Sequence, residues 1–180
     1  TGTVTGWGTG VITLPKGVPV KVTIDNREFT DSKISFCLEN IDWTIAAAVL
    51  VCVGMQDPNN TYAYYIVSNE TTFDARVLRK DNAVVTFLAN RLVIPKSGTQ
   101  RFECVKTGKR FTITCDGYTY STSDTEDYYP VGKIGFSKEK NIGLNISDLS
   151  ITPSVSYADD FSTDTTERYQ PVFGTVAYDD

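Results

Sequence analysis

The stretch VGKIGFSKEKNIGLNISDLSI, residues 131–151, decides the fold class. Its second half places apolar residues at every other position, the spacing of a β-strand with one buried face. Ile142, Leu144 and Ile146 lie at even-numbered positions, whereas Leu149 and Ile151 lie at odd-numbered ones. The phase of the alternation therefore changes once, between residues 146 and 149. A β-bulge at residues 147–148 would return both halves to the same face, because a bulge adds one residue to a strand. The stretch therefore predicts a long, bulged strand against a buried core.

Period-two alternation recurs along most of the chain. It covers residues 18–25, 34–39, 61–68, 73–80 and the hairpin 101–115, with Gly, Pro, Asn and Asp turn residues between the runs. In residues 73–80 the apolar and polar residues are less clearly divided between the two faces, which suits a strand near a sheet edge. Only residues 42–53 compete for helix, and we expect a helical turn around Trp43 followed by a strand, since Val49, Val51 and Val53 are β-branched. These patterns predict an all-β protein of short antiparallel strands.

Length and composition limit the possible functions. A chain of 180 residues with 41% hydrophobic content suits one sandwich domain with a sizeable core. The net charge is −5 and the basic residues are scattered, so nucleic acid is not an expected partner. No apolar run approaches the roughly 20 residues that span a bilayer, so no membrane insertion is expected.

Four cysteines are compatible with an oxidising compartment. Cys37 and Cys52 lie at mirror positions about residues 44–45, so a hairpin between 33–40 and 46–54 would pair them, and they are the best disulfide candidate. A turn at Thr107–Gly108 would place Cys104 opposite Phe111, which leaves Cys104 and Cys115 about 13 Å apart along the ladder. We expect these two to be unpaired core thiols.

The chain contains no histidine, which excludes Ser-His-Asp and Cys-His catalysis. A carboxylate pair could still hydrolyse glycosides. The acidic cluster at 124–127 lies in a Ser- and Thr-rich segment, where a solvated turn is the expected structure. The sequence therefore predicts a protein that is not an enzyme.

Three segments together resemble a known family. Asp116-Gly117-Tyr118, the run Val131 to Phe136 with its Gly-Lys-Ile-Gly core, and the strand 142–151 are similar to the closing strands of concanavalin-like and laminin-G-like jelly rolls. The segment DDFS at 159–162 resembles the first strand of such domains. The resemblance covers nearly all of the chain and implies an antiparallel two-sheet jelly-roll sandwich.

The position of that first-strand pattern divides the chain into a sandwich, 1–154, and a C-terminal extension, 155–180. Gly174-Thr175-Val176 repeats Gly2-Thr3-Val4, so the extension could complete its own domain, the next repeat or a neighbouring subunit. The anchors of a donated strand would be Phe161, Tyr169, Val172 and Val176.

The family includes carbohydrate-binding modules, lectins, adhesion domains, surface-fibre modules and some polysaccharide-active enzymes. The resemblance therefore implies a non-catalytic protein of the cell or virion surface that binds glycan or serves adhesion. The alternative is a structural subunit of a surface filament assembled by C-terminal strand donation, and the second alternative is a polysaccharide-active enzyme. Aromatic rings stack on sugars, and the candidate glycan contacts are Trp43, Tyr62, Tyr64, Tyr118, Tyr120, Tyr128 and Tyr129.

A metal site has weaker support. Asp57, Asn59 and Asn60 could supply oxygen ligands to calcium, which many sandwiches of this family bind at loop rims. A plain Asp-Pro-Asn turn explains the same residues. No other cofactor is expected.

Overall fold

A computed structural model describes residues 11–14, 16–17, 20–39, 47–69, 71–88, 91–96, 100–138 and 142–153. These residues form β-strands joined by turns, with no helix among them. The strands are β1 (Val11–Leu14), β2 (Val20–Phe29), β3 (Ser32–Glu39), β4 (Ala47–Asp57), β5 (Asn60–Ser68), β6 (Thr72–Asp81), β7 (Val84–Phe87), β8 (Leu92–Pro95), β9 (Gln100–Thr107), β10 (Arg110–Cys115), β11 (Tyr118–Ser123), β12 (Gly132–Lys138) and β13 (Leu144–Pro153).

The strands form two antiparallel sheets. The six-stranded sheet has the order β1-β13-β3-β9-β10-β11. The seven-stranded sheet has the order β2-β12-β4-β5-β6-β7, and β8 pairs with β6 beside β7. This arrangement confirms the predicted all-β, two-sheet sandwich.

Aromatic side chains join the two sheets. Phe36 on β3 stacks on Phe102 at 5.5 Å between ring centroids and meets Phe136 of the opposite sheet edge-on at 5.3 Å. Each of the three rings is at most 1% exposed. Such pairs contribute about 0.5–1.5 kcal/mol beyond the area they bury, so this cluster fixes the sheets face to face.

The bulge predicted in the last strand is confirmed. The register of β13 against β3 shifts between Ser147 and Ser150, and Asp148 adopts a φ of 51°. On one side of the bulge Ile146 is buried, and on the other Leu149 and Ile151 pack against the same core. One inserted residue thus keeps both halves of the strand facing inward.

The predicted disulfide between Cys37 and Cys52 is wrong. Cys37 lies on β3 of the six-stranded sheet, whereas Cys52 lies on β4 of the seven-stranded sheet. Both side chains point away from the central core, Cys37 towards Asp148 and Cys52 into a separate apolar cluster. The full thickness of the sandwich, about 10 Å between sheets, lies between them. All four cysteines are free thiols.

One further expectation needs correction. The β9–β10 turn is one residue later than predicted, so Cys104 lies opposite Ile113 and Cys115 opposite Phe102. Strand β6 lies near an edge as expected, because it pairs with β5 on one side and with the edge strands β7 and β8 on the other. Its alternation of burial is weak because outward-facing residues such as Asp74 and Leu78 are also buried.

Several expectations fall outside the described residues. They are the helical turn around Trp43, the boundary at 154–155, and the donor anchors Phe161, Tyr169, Val172 and Val176. Among the residues that are described, none forms a helix that is long and apolar enough to cross a membrane.

Candidate functional site

A groove of about 550 Å³ lies on the outer face of the seven-stranded sheet. Its lining comes from six strands of that sheet and from the β4–β5 turn. Volumes of 300–1,000 Å³ are typical of small-ligand sites, and an outer sheet face can hold an extended ligand. We call this feature the sheet groove.

Small side chains form the floor of the sheet groove. The register places one residue from each strand in a single row across the sheet, and its central members have little or no side chain. The row is Thr23, Gly135, Cys52, Ala63, Leu78 and Phe87. Because neighbouring rows carry larger side chains, the floor lies lower than its surroundings.

The next row supplies one wall of the groove. Its lining members are Lys21, Ser137, Leu50 and Tyr65, register partners from β2 to β5, and Arg76 on β6 continues the row beyond the lining. Leu50 and Tyr65 pack on the floor cluster from this side, and Met55 packs on it as well. The groove is therefore apolar at its centre, with polar side chains at its ends.

An aromatic pair marks the β7 end of the groove. Phe87 is 44% exposed, and its ring centroid lies 5.9 Å from that of Tyr65. The Arg76 guanidinium carbon lies 5.3 Å from the centroid of the Phe87 ring. Exposed aromatic faces held by neighbouring side chains are suited to stacking on a flat apolar ligand face.

The charged lining residues are three lysines, Lys21, Lys80 and Lys133, and one acid, Asp57. The Asp57 carboxylate accepts hydrogen bonds from the Asn60 side-chain amide at 2.7 Å and from the Asn59 backbone amide at 2.6 Å. These two bonds, the Asn60 side chain first, lower the pKa of Asp57. The only acid in the described lining is therefore committed to its own turn.

Cys52 is a neutral group on the floor. Burial raises the pKa of Cys52 to about 11, and a hydrogen bond with Thr61 and the charges of Lys80 and Lys21 only partly oppose this. Since the thiolate is the nucleophilic form of cysteine, this thiol is unreactive near neutral pH. It serves as an apolar part of the floor.

The structure excludes two of the proposed sugar contacts. Tyr62 and Tyr64 on β5 are 0% exposed and belong to the central core. Alternate residues of a strand point to opposite faces, and these two share the inner face, while Tyr65 points outward. The expectation that Tyr62 and Tyr64 bind glycan is therefore wrong.

The remaining tyrosines do not form one surface. Tyr118 is 47% exposed at the start of β11, and Tyr128 is 44% exposed in the loop that follows the end of β11. The length of this strand, about 20 Å at 3.3 Å per residue, separates them. Tyr120 and Tyr129 are partly buried against the core. Trp43 lies outside the described residues.

The loop at 124–130 is anchored to the sandwich by two of its acids. Asp124 is 9% exposed and forms an ion pair with Arg79, so the expectation of a solvated acidic turn is wrong for Asp124, although Glu126 is exposed. The Arg79 guanidinium lies 3.8 Å from the Tyr128 ring centroid. Lys106, itself 1% exposed, pairs with Asp127 at 3.3 Å. The Tyr128 ring is therefore held against the sandwich by one of its faces.

The same loop supports the groove. The Tyr129 hydroxyl donates a hydrogen bond to the Lys80 backbone carbonyl at 3.0 Å. Gln56, a lining residue, donates to the Val131 carbonyl. The loop is thereby joined to strands β4 and β6, which carry groove side chains.

The calcium hypothesis gains no support from the geometry. Asn60 Oδ1 accepts a hydrogen bond from the Asn82 amide at 2.9 Å, and both Asp57 oxygens accept bonds within the turn. The plain turn explains these contacts. Across the described ranges, no cluster of three or more Asp, Glu, Cys or His side chains could hold a metal ion.

Sequence reasoning missed Phe87, and it counted Tyr65 among the possible stacking residues but left it out of the final set of glycan contacts. The signal for Tyr65 was its position, since it has the opposite parity to Tyr62 and Tyr64 on the same strand. The signal for Phe87 was weaker, because all four residues of β7 are exposed and the strand shows no alternation of burial. Only the cross-strand register brings the two rings together.

No family model matches the chain, and no curated protein matches it. The chain is similar in structure to carbohydrate-binding module CBM66 from Bacillus subtilis, with a TM-score of 0.65, 13% identity, and coverage of 84% of this chain and 91% of that one. It is also similar to the CBM2 module of the evolved Dit of Lactobacillus casei BL23 phage J-1, with a TM-score of 0.56, 12% identity, and coverage of 84% and 79%.

A third similar structure comes from Parabacteroides distasonis and is named as a glycosyl hydrolase of unproven activity. The TM-score is 0.55 at 10% identity, over 81% of each chain. At such identities the likeness shows the fold and not the activity. The strand order, the bulged last strand and these structural likenesses together show that the chain has the concanavalin-like jelly-roll fold.

Proposed function

We propose that the protein is a non-catalytic glycan-binding module and that the sheet groove is its binding site. The observation that carries this proposal is the aromatic pair at the end of a groove with a small-residue floor, in which Phe87 is exposed and Tyr65 is partly buried. An aromatic ring stacks on the apolar face of a sugar, while nearby polar groups bond its hydroxyls.

The groove offers such polar groups beside the rings. Ser137 presents a hydroxyl and Gln56 a side-chain amide along the lining, whereas the Thr61 hydroxyl is buried and donates to backbone carbonyls. The floor side chains Cys52 and Ala63 are at most 7% exposed, so a ligand would rest on a closed surface and would not enter the core. A long, shallow and partly apolar groove suits a polysaccharide segment.

The structural neighbours support the same function. Two of them are named as carbohydrate-binding modules, and a third as a glycosyl hydrolase of unproven activity. These names describe those proteins. They support a carbohydrate ligand for this chain because they share its fold and most of its length.

The lining favours binding over hydrolysis. Glycoside hydrolysis uses two carboxyl groups, about 5–9.5 Å apart across the scissile bond. The described lining contains one, Asp57, and that group is occupied by hydrogen bonds from Asn59 and Asn60. We propose that the module acts outside the cell or on a virion, where structural polysaccharides are exposed.

Glycan-array screening followed by titration of the Phe87→Ala variant tests the proposal. Loss of the stacking ring should weaken binding by about tenfold, since stacking on an aromatic ring contributes on the order of 1 kcal/mol or more. The matched control is Tyr118→Ala, because Tyr118 is similarly exposed but lies on the six-stranded sheet. Loss of binding in Tyr128→Ala, with Phe87→Ala unchanged, would move the site to the loop at 124–130.

A further inference from the structure

The charges of the sheet groove differ from those of the whole protein. The chain carries a net charge of −5. The groove lining carries three lysines and one aspartate, and its charged side chains therefore sum to +2. A cleft in which positive charge predominates and whose walls are apolar concentrates the electric field above it. The groove should therefore attract anions although the protein as a whole is acidic.

Two of the three groove lysines have no ion pair. In the part of the chain that the structure describes, neither Lys21 nor Lys133 forms one. The Lys80 ammonium donates to the Pro58 carbonyl at 3.2 Å, and its charge also acts on the Asp57 carboxylate of the same groove. Unpaired cations beside an apolar floor are available to a ligand.

The three lysines are spread along the groove. Lys21 on β2 and Lys80 on β6 have three strands between them, which corresponds to about 19 Å across the sheet. Lys133 lies on β12, between these two strands. All three side chains line the groove. A single small anion could not contact all three, but an acidic chain molecule could.

The opposite face of the sandwich lacks this property. There, Lys33 pairs with Glu103 at 2.7 Å and Arg101 pairs with Asp148 at 2.9 Å. Both pairs lie on the outer side of the six-stranded sheet, so two of the cations on that face are neutralised, while Arg110 on β10 is exposed and forms no ion pair among the described residues. The groove differs in holding three lysines against a single acid.

From these observations we infer that the sheet groove binds an acidic polysaccharide, whose carboxylate or sulfate groups contact Lys21, Lys133 and Lys80 while its sugar rings stack on Phe87 and Tyr65. This inference rests on the proposed glycan-binding function and adds the charge class of the ligand. The lysines would select acidic over neutral chains, and the aromatic pair would select sugars over other anions.

Paired ligands test the inference on the intact protein. Polygalacturonate is compared with its methyl ester, and dextran sulfate with dextran, by titration at low and high salt. We expect at least one acidic member to bind more than tenfold more tightly than its neutral partner, with affinity falling as salt rises. Equal affinity for the members of both pairs would overturn the acidic ligand but leave glycan binding intact.

Three lysine variants locate the charge effect. Lys21→Gln and Lys133→Gln should each weaken the acidic ligand about fivefold and leave neutral sugars unaffected. Lys21→Arg should retain binding, because it keeps the charge. Lys109→Gln is the matched control, because this substitution removes one positive charge away from the groove. Lys109 lies at the β9–β10 turn, where its ammonium donates to the Thr125 carbonyl.

Three outcomes would contradict the inference separately from the proposed function. If Lys109→Gln weakens binding as much as Lys21→Gln, the positive charge that attracts the polyanion is not specific to the groove. If single-stranded DNA of equal charge binds as tightly as the acidic glycan and survives Phe87→Ala, the ligand is not a sugar. If Phe87→Ala abolishes neutral and acidic binding alike while the lysine variants change neither, the glycan site stands and the acidic preference is wrong.

Discussion

The Tyr62 hydroxyl donates a hydrogen bond to the Asp124 carboxylate at 3.1 Å, and it accepts one from the Tyr128 amide at 3.1 Å. Burial, more than any neighbouring charge, raises the pKa of Tyr62, so the hydroxyl keeps its proton. Asp124 also pairs with Arg79. A side chain at the centre of β5 thus fixes the loop at 124–130, whose Tyr129 in turn contacts β6.

The first prediction concerns this anchor. Asp124→Asn should lower the free energy of unfolding by about 3 kcal/mol, because it leaves the Arg79 charge buried without a partner. The Arg79 and Asp124 side chains are only 16% and 6% exposed. Urea unfolding followed by circular dichroism measures the change.

The control for that change is Asp148→Asn. Asp148 also pairs with an arginine, Arg101, but the two side chains are 62% and 65% exposed. Asparagine tolerates the positive φ of this position as aspartate does, so the loss should stay within about 0.5 kcal/mol. Equal losses in the two variants would show that burial of the Asp124 pair has no consequence for stability.

The fold was accessible from sequence because its strands alternate strongly. Ile142, Leu144 and Ile146 alternate on one phase, and the phase change at residues 147–148 has a single local explanation, which the structure confirms. The pairing of Cys37 with Cys52 failed for a different reason. Mirror symmetry in a sequence predicts a hairpin only if consecutive strands are neighbours, and the chain crosses from one sheet to the other between β3 and β4.

The candidate site was less accessible. Composition indicated tyrosines, but the choice among them depends on parity and on register. Tyr64 and Tyr65 are adjacent in sequence, yet one is fully buried and the other lines the groove. The row that joins Cys52, Ala63 and Phe87 comes from six strands and has no local signature. A site assembled by cross-strand register is visible only after the strand order is known.

A second prediction concerns the close approach of β12 to β4. A Cβ at Gly132 would lie 2.3 Å from the Gly54 carbonyl carbon and 2.6 Å from the Met55 nitrogen, both of them backbone atoms that cannot turn aside. Gly132→Ala should therefore destabilise the protein by about 3 kcal/mol. It should also weaken glycan binding, since Met55 and Lys133 line the groove beside this contact.

Gly108→Ala separates crowding from backbone conformation. Gly108 has a φ of 51°, which disfavours alanine, but a Cβ there would meet no atom within 4 Å. Its cost should be about 1 kcal/mol, with glycan affinity unchanged. Thermal unfolding of the two variants side by side gives the comparison, and a smaller loss in Gly132→Ala than in Gly108→Ala would refute the steric argument.

A third prediction tests the strand-donation hypothesis for residues 155–180. If the extension completes a neighbouring subunit, removal of residues 159–180 should yield a monomer that unfolds easily, because a donated strand hydrogen-bonds an open sheet edge. The missing peptide added in trans should restore stability. Light scattering and thermal unfolding provide the measurement, and a truncated protein as stable as the intact one would exclude strand donation.

The last prediction is a loss of stability at alkaline pH. Burial raises the pKa of Cys52 to about 11 and that of Cys115 to about 12, from an ordinary thiol value of 9.0. It also raises the pKa of Cys104. A group whose pKa is higher in the folded state stabilises the fold fully below its unfolded pKa. That contribution is lost as the pH rises through the folded value.

The window therefore begins near pH 9 and extends towards pH 12. By pH 10 the unfolded chain has ionised most of its thiols while the folded protein has not, so each of Cys52 and Cys115 should remove about 1 kcal/mol. Urea unfolding at pH 8 and pH 10, under reducing conditions, measures the difference. Cys52→Ala lowers stability at both pH values but should reduce the difference between them, because it removes one of the titrating groups. An unfolding free energy that is constant from pH 8 to pH 10 would mean that these thiols ionise as readily in the sandwich as in the unfolded chain.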